Sequence, residues 1–296
     1  MNYVVTGSLG HIGKPLASQL VHDGHSVTVI SSNPARKAQI ESMGAYAAIG
    51  TVEDVDFLSR TFRGADAIFT MVPPNFDGND WKGHIAHIGE NYARAIAASG
   101  VGRVVNLSSI GAHLIDGCGP VNGLHRVETI LNELQDVQVR HLRAAYFYTN
   151  FLNSIDIISK NGFLSGNFGE NTLMVLVHPL DIADEAAKEL RNHDIIGRGF
   201  RYIASDEKTT GEIATIIGKA IEKPDLRWID RSDKETCDEM IRFGIPEEIA
   251  KNYTEMGAAM RDGSMTDHYF NNRPVLAGWR RLETFAPDFA TAYFAS

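Results

Sequence analysis

Three glycines spaced G-x-x-G-x-x-G, at Gly7, Gly10 and Gly13, are the residues whose type and spacing most directly suggest chemistry. They sit in Tyr3-Val4-Val5-Thr6-Gly7-Ser8-Leu9-Gly10-His11-Ile12-Gly13, where an apolar strand-like run gives way to helical spacing. Such a turn receives the pyrophosphate of a dinucleotide. Gly7 lets the chain leave the strand, Gly10 lets backbone approach the phosphates, and Gly13 lets the helix pack closely on the sheet. Ser8, Leu9, His11 and Ile12 complete the cradle, ahead of helical N–H groups and a positive dipole end that face the phosphates.

A second group follows the next strand. Ser31, Ser32, Asn33 and Arg36, with Lys37 beside them, stand where a dinucleotide fold distinguishes its cofactors, and no acid stands among them. An Asp or Glu about 20 residues past the glycines would accept from a ribose 2′-OH and repel a 2′-phosphate. Hydroxyls and a guanidinium hold that phosphate instead. The expected cofactor is therefore NADP(H) by preference, with NAD(H) also admissible; the weaker alternative is a solvated turn leading into a helix from Arg36 to Met43.

These groups need a sheet to position them. Ile12, Leu16 and Leu20 give the first helix one apolar face, Pro15 loses no helical bond in its first turn, and Ser26 to Ser31 closes a β-α-β unit. Further strands are expected at Tyr46 to Ile49, Ala67 to Val72, Arg103 to Leu107 and Val139 to Leu142, with helices Val55 to Phe62 and Trp81 to Ser99 between them. Alternating strands and helices of this kind make an α/β, doubly wound Rossmann sheet of parallel strands, in which ligands collect at the carboxyl ends. Those ends place Met71, Val72 and Pro73, then Ser108, then Tyr146, beside the cofactor. From Phe151 the pattern loosens. It returns with a helix opened by His178-Pro179, a strand Gly199 to Ala204, and capping boxes at Thr209-x-x-Glu212 and Ser232-x-x-Glu235. A later helix carries Ile249, Tyr253, Met256 and Met260 on one packing face. The expected organisation is a nucleotide domain over 1–150, joined by a strand and helices from 178–220, and a smaller, mostly helical lobe from 151–177 and 221–296.

The totals narrow the function classes. A chain of 296 residues, 44% hydrophobic, can bury a full core. Twenty-eight basic against thirty-seven acidic residues give a charge of −9 without a basic track, so direct nucleic-acid binding is not expected. Cys118 and Cys237 have no metal or disulfide spacing, so no metal site is expected. No apolar run is long enough to span a membrane, and with no room for a leader before the first strand the expected location is the cytoplasm. A monomer or homodimer is compatible with all of this.

The glycine motif, the Ser31 to Lys37 turn, Leu107-Ser108-Ser109, Val127-Glu128, Arg143-Ala144-Ala145-Tyr146-Phe147 and Asp181-Ile182-Ala183 occur in an order that resembles the NmrA-like branch of the atypical short-chain dehydrogenases. Phe243-Gly244-Ile245-Pro246 and Asn272-Arg273-Pro274 extend the resemblance into that family's small lobe. The resemblance implies NADP(H) binding and either quinone reduction or non-enzymatic redox sensing through a protein partner. Sugar-nucleotide epimerisation shares the fold and ranks last. The family's Y-x-x-x-K pair is missing, because Pro120-Val121-Asn122-Gly123-Leu124 occupies its place, and the related K-x-x-V-E pattern has Leu124 at its lysine. His125 is the remaining candidate for a catalytic acid; as a helix histidine it could equally face solvent or cap a neighbour. Tyr146, Phe147, Tyr148, Phe151, Phe76 and Trp81 are the candidates for the wall of a flat aromatic substrate pocket.

Overall fold

The computed structural model describes residues 1–76, 78–192, 197–274, 276 and 280–296. In chain order the elements are β1 (Asn2–Val5), α1 (Gly13–His22), β2 (Ser26–Ser31), α2 (Lys37–Ser42), β3 (Tyr46–Ile49), α3 (Val55–Phe62), β4 (Ala67–Thr70), α4 (Trp81–Ser99), β5 (Arg103–Ser109), α5 (Val121–Asn132) and β6 (Gln138–Ala144). There follow β7 (Tyr146–Phe147), α6 (Ile155–Asn161), β8 (Leu164–Gly166), β9 (Leu173–Val177), α7 (Pro179–Arg191), β10 (Arg198–Ile203), β11 (Asp206–Thr209), α8 (Thr210–Ala220), β12 (Trp228–Asp230), α9 (Asp233–Arg242), α10 (Glu247–Arg261), α11 (Asp267–Asn271) and α12 (Leu282–Phe294).

Seven strands form one parallel sheet in the order β10-β6-β5-β4-β1-β2-β3. The strands are apolar on both faces because helices cover both. Tyr3 and Val5 point to one side, into a core with Leu16 and Leu20 of α1, while Val4 and Ile68 point to the other, into a core with Ile85, Ile88 and Tyr92 of α4. Each fully buried side chain of this size contributes about 1.5–3 kcal/mol. The first of these cores continues into the carboxyl-terminal part through Tyr148, Leu164, Trp228, Tyr269 and Phe289.

Several expected boundaries move. β4 stops at Thr70, before Met71 and Val72, because the Met71 N–H and carbonyl are taken by side chains: Thr6 Oγ1 accepts at 2.9 Å and the Tyr92 hydroxyl donates at 2.6 Å. The helix expected from Arg36 starts as a short 3-10 turn over Pro34–Arg36, capped where Asn33 Oδ1 accepts from the Ala35 N–H, and continues as α2 to Ser42. The loosely patterned region after Phe151 contains three-residue strands, β8 pairing with β12, and a second small sheet of β11, β9 and β7. Both capping boxes form as read.

Candidate dinucleotide site

The carboxyl ends of the first four strands open onto a cleft of about 300 Å³. Its walls are Gly7 and Ser8, Ser31 and Ser32, residues 50–53, and Met71, Pro73, Pro74 and Asn75, with His84 and Ile88 of α4. Gly7 has φ +90 and lies directly under the Met71 thioether, so a side chain there would meet both steric and backbone penalties. Ser8 follows at φ 55, a conformation that costs an L residue roughly 1–2 kcal/mol. Two bonds hold it there: its N–H donates to the Ile30 carbonyl at 3.1 Å, and its hydroxyl donates to Ser31 Oγ at 2.9 Å. Glycine turn and second strand are thereby fastened together.

The two remaining glycines serve different ends. A Cβ on Gly13 would overlap the carbonyl of Ser8, so the turn itself requires this glycine, whereas a Cβ on Gly10 would meet only the Gly7 carbonyl at 3.6 Å. Space over Gly10 is open to a ligand. Leu9 and Ile12 are buried, leaving Gly10 and His11 as the exposed part of the loop, and the first helical bond runs from the Lys14 N–H to the Gly10 carbonyl at 3.2 Å. N–H groups ahead of it are the ones a helix start leaves without an intrahelical acceptor.

Arg36 Nη1 donates to the Leu9 carbonyl at 3.3 Å, so the guanidinium reaches from the turn after β2 back to the glycine loop. The cleft also holds an acid that the sequence pattern did not assign to it. Glu53, exposed on the loop after β3, lines the same cleft as Ser32. His84 is likewise new: one turn into α4, its Nε2 lies 3.3 Å from Asn75 Nδ2. Both could have been suspected from the rule that loops at strand carboxyl ends carry ligands, applied to the turns at Gly50 and Pro73-Pro74.

Other expected site residues are placed differently. Ser108 is buried and its hydroxyl donates to Glu128 Oε1 at 2.6 Å; Arg143 donates to the same carboxylate from Nε at 3.0 Å and Nη2 at 2.6 Å. This hydroxyl is committed to the protein, not presented to a ligand. His125 is not among the residues lining the cleft, and its Nδ1 donates to the Ala112 carbonyl at 2.9 Å, which pins α5 to the loop after β5. Val72 packs into the α4-side core. Tyr146, the first residue of β7, is half-buried with its ring against Phe151 and Phe168, centroids 5.5 and 5.9 Å away. Tyr148 and Phe151 are fully buried core residues and cannot wall a pocket, a correction to the aromatic set above. His178 caps α7, its Nδ1 accepting from the Leu180 N–H at 3.1 Å.

Residues 7–144 match the family model described as NAD(P)H-binding. The match covers just under half of the chain and includes the glycine turn. No curated protein sequence matches the chain. Among solved structures, a triphenylmethane reductase of Citrobacter sp. superposes with a TM-score of 0.82 at 16% identity, covering 98% of this chain and 100% of that one. The NADPH complex of the Escherichia coli NADPH-dependent quinone oxidoreductase QOR2 gives 0.79 at 16%, covering 99% of each chain. A Staphylococcus aureus protein described as a nucleoside-diphosphate-sugar epimerase gives 0.77 at 14%, covering 97% and 100%. At such identities the likeness establishes the fold alone. The matched segment contains both the glycine turn and the Ser31 to Arg36 turn, and no described helix is long and apolar enough to cross a membrane.

Proposed function

We propose that the protein is a flavin-free reductase that passes hydride from NADPH to a quinone or a similar flat aromatic acceptor. The observation that carries this reading is the cluster of aromatic rings at the start of α4, which packs beside an α5 start lacking the tyrosine and lysine of alcohol-oxidising relatives: a Cβ on Gly123 would lie 3.0 Å from the Lys82 carbonyl. Phe76 packs on Trp81 and Trp81 on Tyr253, with centroids 5.7 and 5.2 Å apart, while Pro120 caps α5 and Leu124 is half-buried in the apolar core. A quinone spreads the charge it gains over its ring and can take protons from water, so it tolerates the loss of that pair better than a ketone does. Two of the superposed proteins are a quinone oxidoreductase and a triphenylmethane reductase, both of which have been solved with NADP(H) or NADPH.

Preference for NADPH rests on Ser31, Ser32, Asn33 and Arg36, with no acid in that turn. The test is NADPH oxidation by the purified protein against a panel of quinones. Steady turnover is expected; saturable NADPH binding without turnover by any quinone overturns the reductase.

That second outcome would favour a sensor that reports NADP(H) through a partner. Lys82 Nζ to Glu255 at 2.7 Å, together with the Trp81 to Tyr253 contact, ties the start of α4 to α10. His84 and Ile88 of the same helix line the cleft, so cofactor occupancy has a direct mechanical route to the carboxyl-terminal helices. Epimerisation needs a proton relay where this chain has Pro120, and it is not favoured.

A further inference from the structure

We infer that Tyr253, brought in by α10, gives the reduced acceptor its proton and so replaces the phenol missing from α5; the assignment rests on the reductase reading above. Strand order fixes where the reaction would occur. Ser31 and Ser32 end β2 and residues 50–53 follow β3, so they take the adenosine half of a dinucleotide whose pyrophosphate lies over Gly10. The reactive half then crosses toward the carboxyl ends of β4, β5 and β6.

Acidic protons on that side are few among the described residues. Ser108 is bound to Glu128, Ser109 Oγ donates to the Ile110 carbonyl at 2.9 Å, and His125 holds the Ala112 carbonyl through Nδ1. Tyr253 differs from these. The α10 backbone rests on the residue just ahead of Pro120: a Cβ on Gly119 would overlap the Asn252 carbonyl and lie 3.2 Å from Met256 Cβ. Tyr253 is the next residue along, half-buried, with its ring on Trp81 and packed against the same core as Val72 and Leu124. Its hydroxyl has no hydrogen-bond partner among the described residues. Burial raises its pKa, which keeps the phenol protonated at neutral pH, and the Tyr146 hydroxyl at the start of β7 is close enough to sense it electrostatically.

In the step assigned to it, the acceptor gains two electrons and a hydrogen as hydride from NADPH. Tyr253 breaks its O–H bond to protonate the oxyanion so formed, and the phenolate recovers a proton from water. One NADPH and one proton are consumed for each quinone taken to the hydroquinone.

The test uses Tyr253→Phe in the full chain, with naphthoquinone as acceptor and naphthol as a product-like probe. The variant removes only a hydroxyl without a protein partner, so its melting temperature should match the wild type. Expected are a fall in kcat of about tenfold or more, NADPH affinity within twofold, and loss of the wild-type solvent deuterium effect on kcat. Calorimetry should also show weaker binding of naphthol to the NADP+-loaded variant. Wild-type kcat and naphthol affinity in the variant would overturn the assignment alone. A wild type that binds NADPH without reducing naphthoquinone or any other quinone would remove the reductase reading and this assignment with it.

Discussion

Arg36 and Leu9 join the turn after β2 to the glycine loop, Nη1 of the one donating to the carbonyl of the other at 3.3 Å. The guanidinium is thereby held at the glycine turn, with no acidic partner among the described residues, on the same connection as Ser31 and Ser32. A 2′-phosphate placed there would gain charge-assisted bonds in a partly exposed setting, for a preference of about 1–3 kcal/mol, roughly ten- to a hundredfold in affinity. Arg36→Ala should erase most of the preference for NADPH while leaving NADH affinity nearly unchanged. Equal wild-type affinities for the two cofactors, measured by calorimetry, would remove the phosphate site.

Glu53, which lines the same cleft as Ser31 and Ser32, should work against that preference. Removing its charge with Glu53→Gln should tighten NADPH by about two- to fivefold, since the carboxylate is exposed and screened. The gain should shrink as salt is added, and NADH binding should stay within twofold. A salt-independent change would mean that the carboxylate acts through structure and not through charge.

Gly10 and Gly13 should part company on mutation, although both read from the sequence as parts of one phosphate cradle. Gly10→Val meets only an ordinary contact within the protein and should fold normally while losing dinucleotide binding. Gly13→Val drives a side chain into the Ser8 carbonyl and should cost about 1–3 kcal/mol or more of stability before binding is considered. Thermal melts separate the two. A folded Gly10→Val that binds NADPH like the wild type would contradict the site.

Stability should fall in mild acid because of His141. This buried histidine accepts at Nδ1 from Asn106 at 3.2 Å and donates from Nε2 to Asn132 Oδ1 at 3.1 Å, so a second proton has no acceptor. Burial pushes its pKa down to about 4 from an ordinary 6.5. The unfolded chain therefore binds the proton first, and the stabilisation, complete above pH 6.5, is lost progressively as pH falls toward 4. Between pH 7 and pH 5 the loss from this one group is about 2 kcal/mol. Burial also lowers the pKa of His113 and His178, which adds loss of the same sign. Urea unfolding at the two pH values measures the difference, and His141→Asn should show a smaller one; an unchanged slope would sink the assignment to His141.

Local signals explain which of these features could be seen in the chain itself. β2, β3, α3 and α4 begin and end where they were expected, because apolar periodicity and glycine or proline punctuation coincide at their ends. Gly7, Ser8 and Ser31, which line the cleft, lie within one β-α-β unit, and Arg36 follows that unit by one short turn. β7, β8 and β12 span two or three residues, too few to show a period, and they exist because partners distant in the chain complete them. Glu53, His84 and Tyr253 reach their places through loops and a helix that only the packed sheet and α10 bring near. Tyr148 and Phe151 erred the other way. A dense aromatic run reads alike for a pocket wall and a core, and only burial separates them.

The seventh strand of the main sheet has a consequence for how the chain is made. β10 pairs with β6 along its full length, from Arg198 with Val139 to Ile203 with Ala144, yet it emerges from the ribosome more than fifty residues after its partner. Until then β6 presents an open row of amide and carbonyl groups to the crowded interior of the cell, the kind of edge on which nascent chains stick to one another. A gene truncated near residue 150 would keep every glycine of the phosphate turn and still yield an aggregating product, whereas co-expression of the remaining segment could supply the strand in trans.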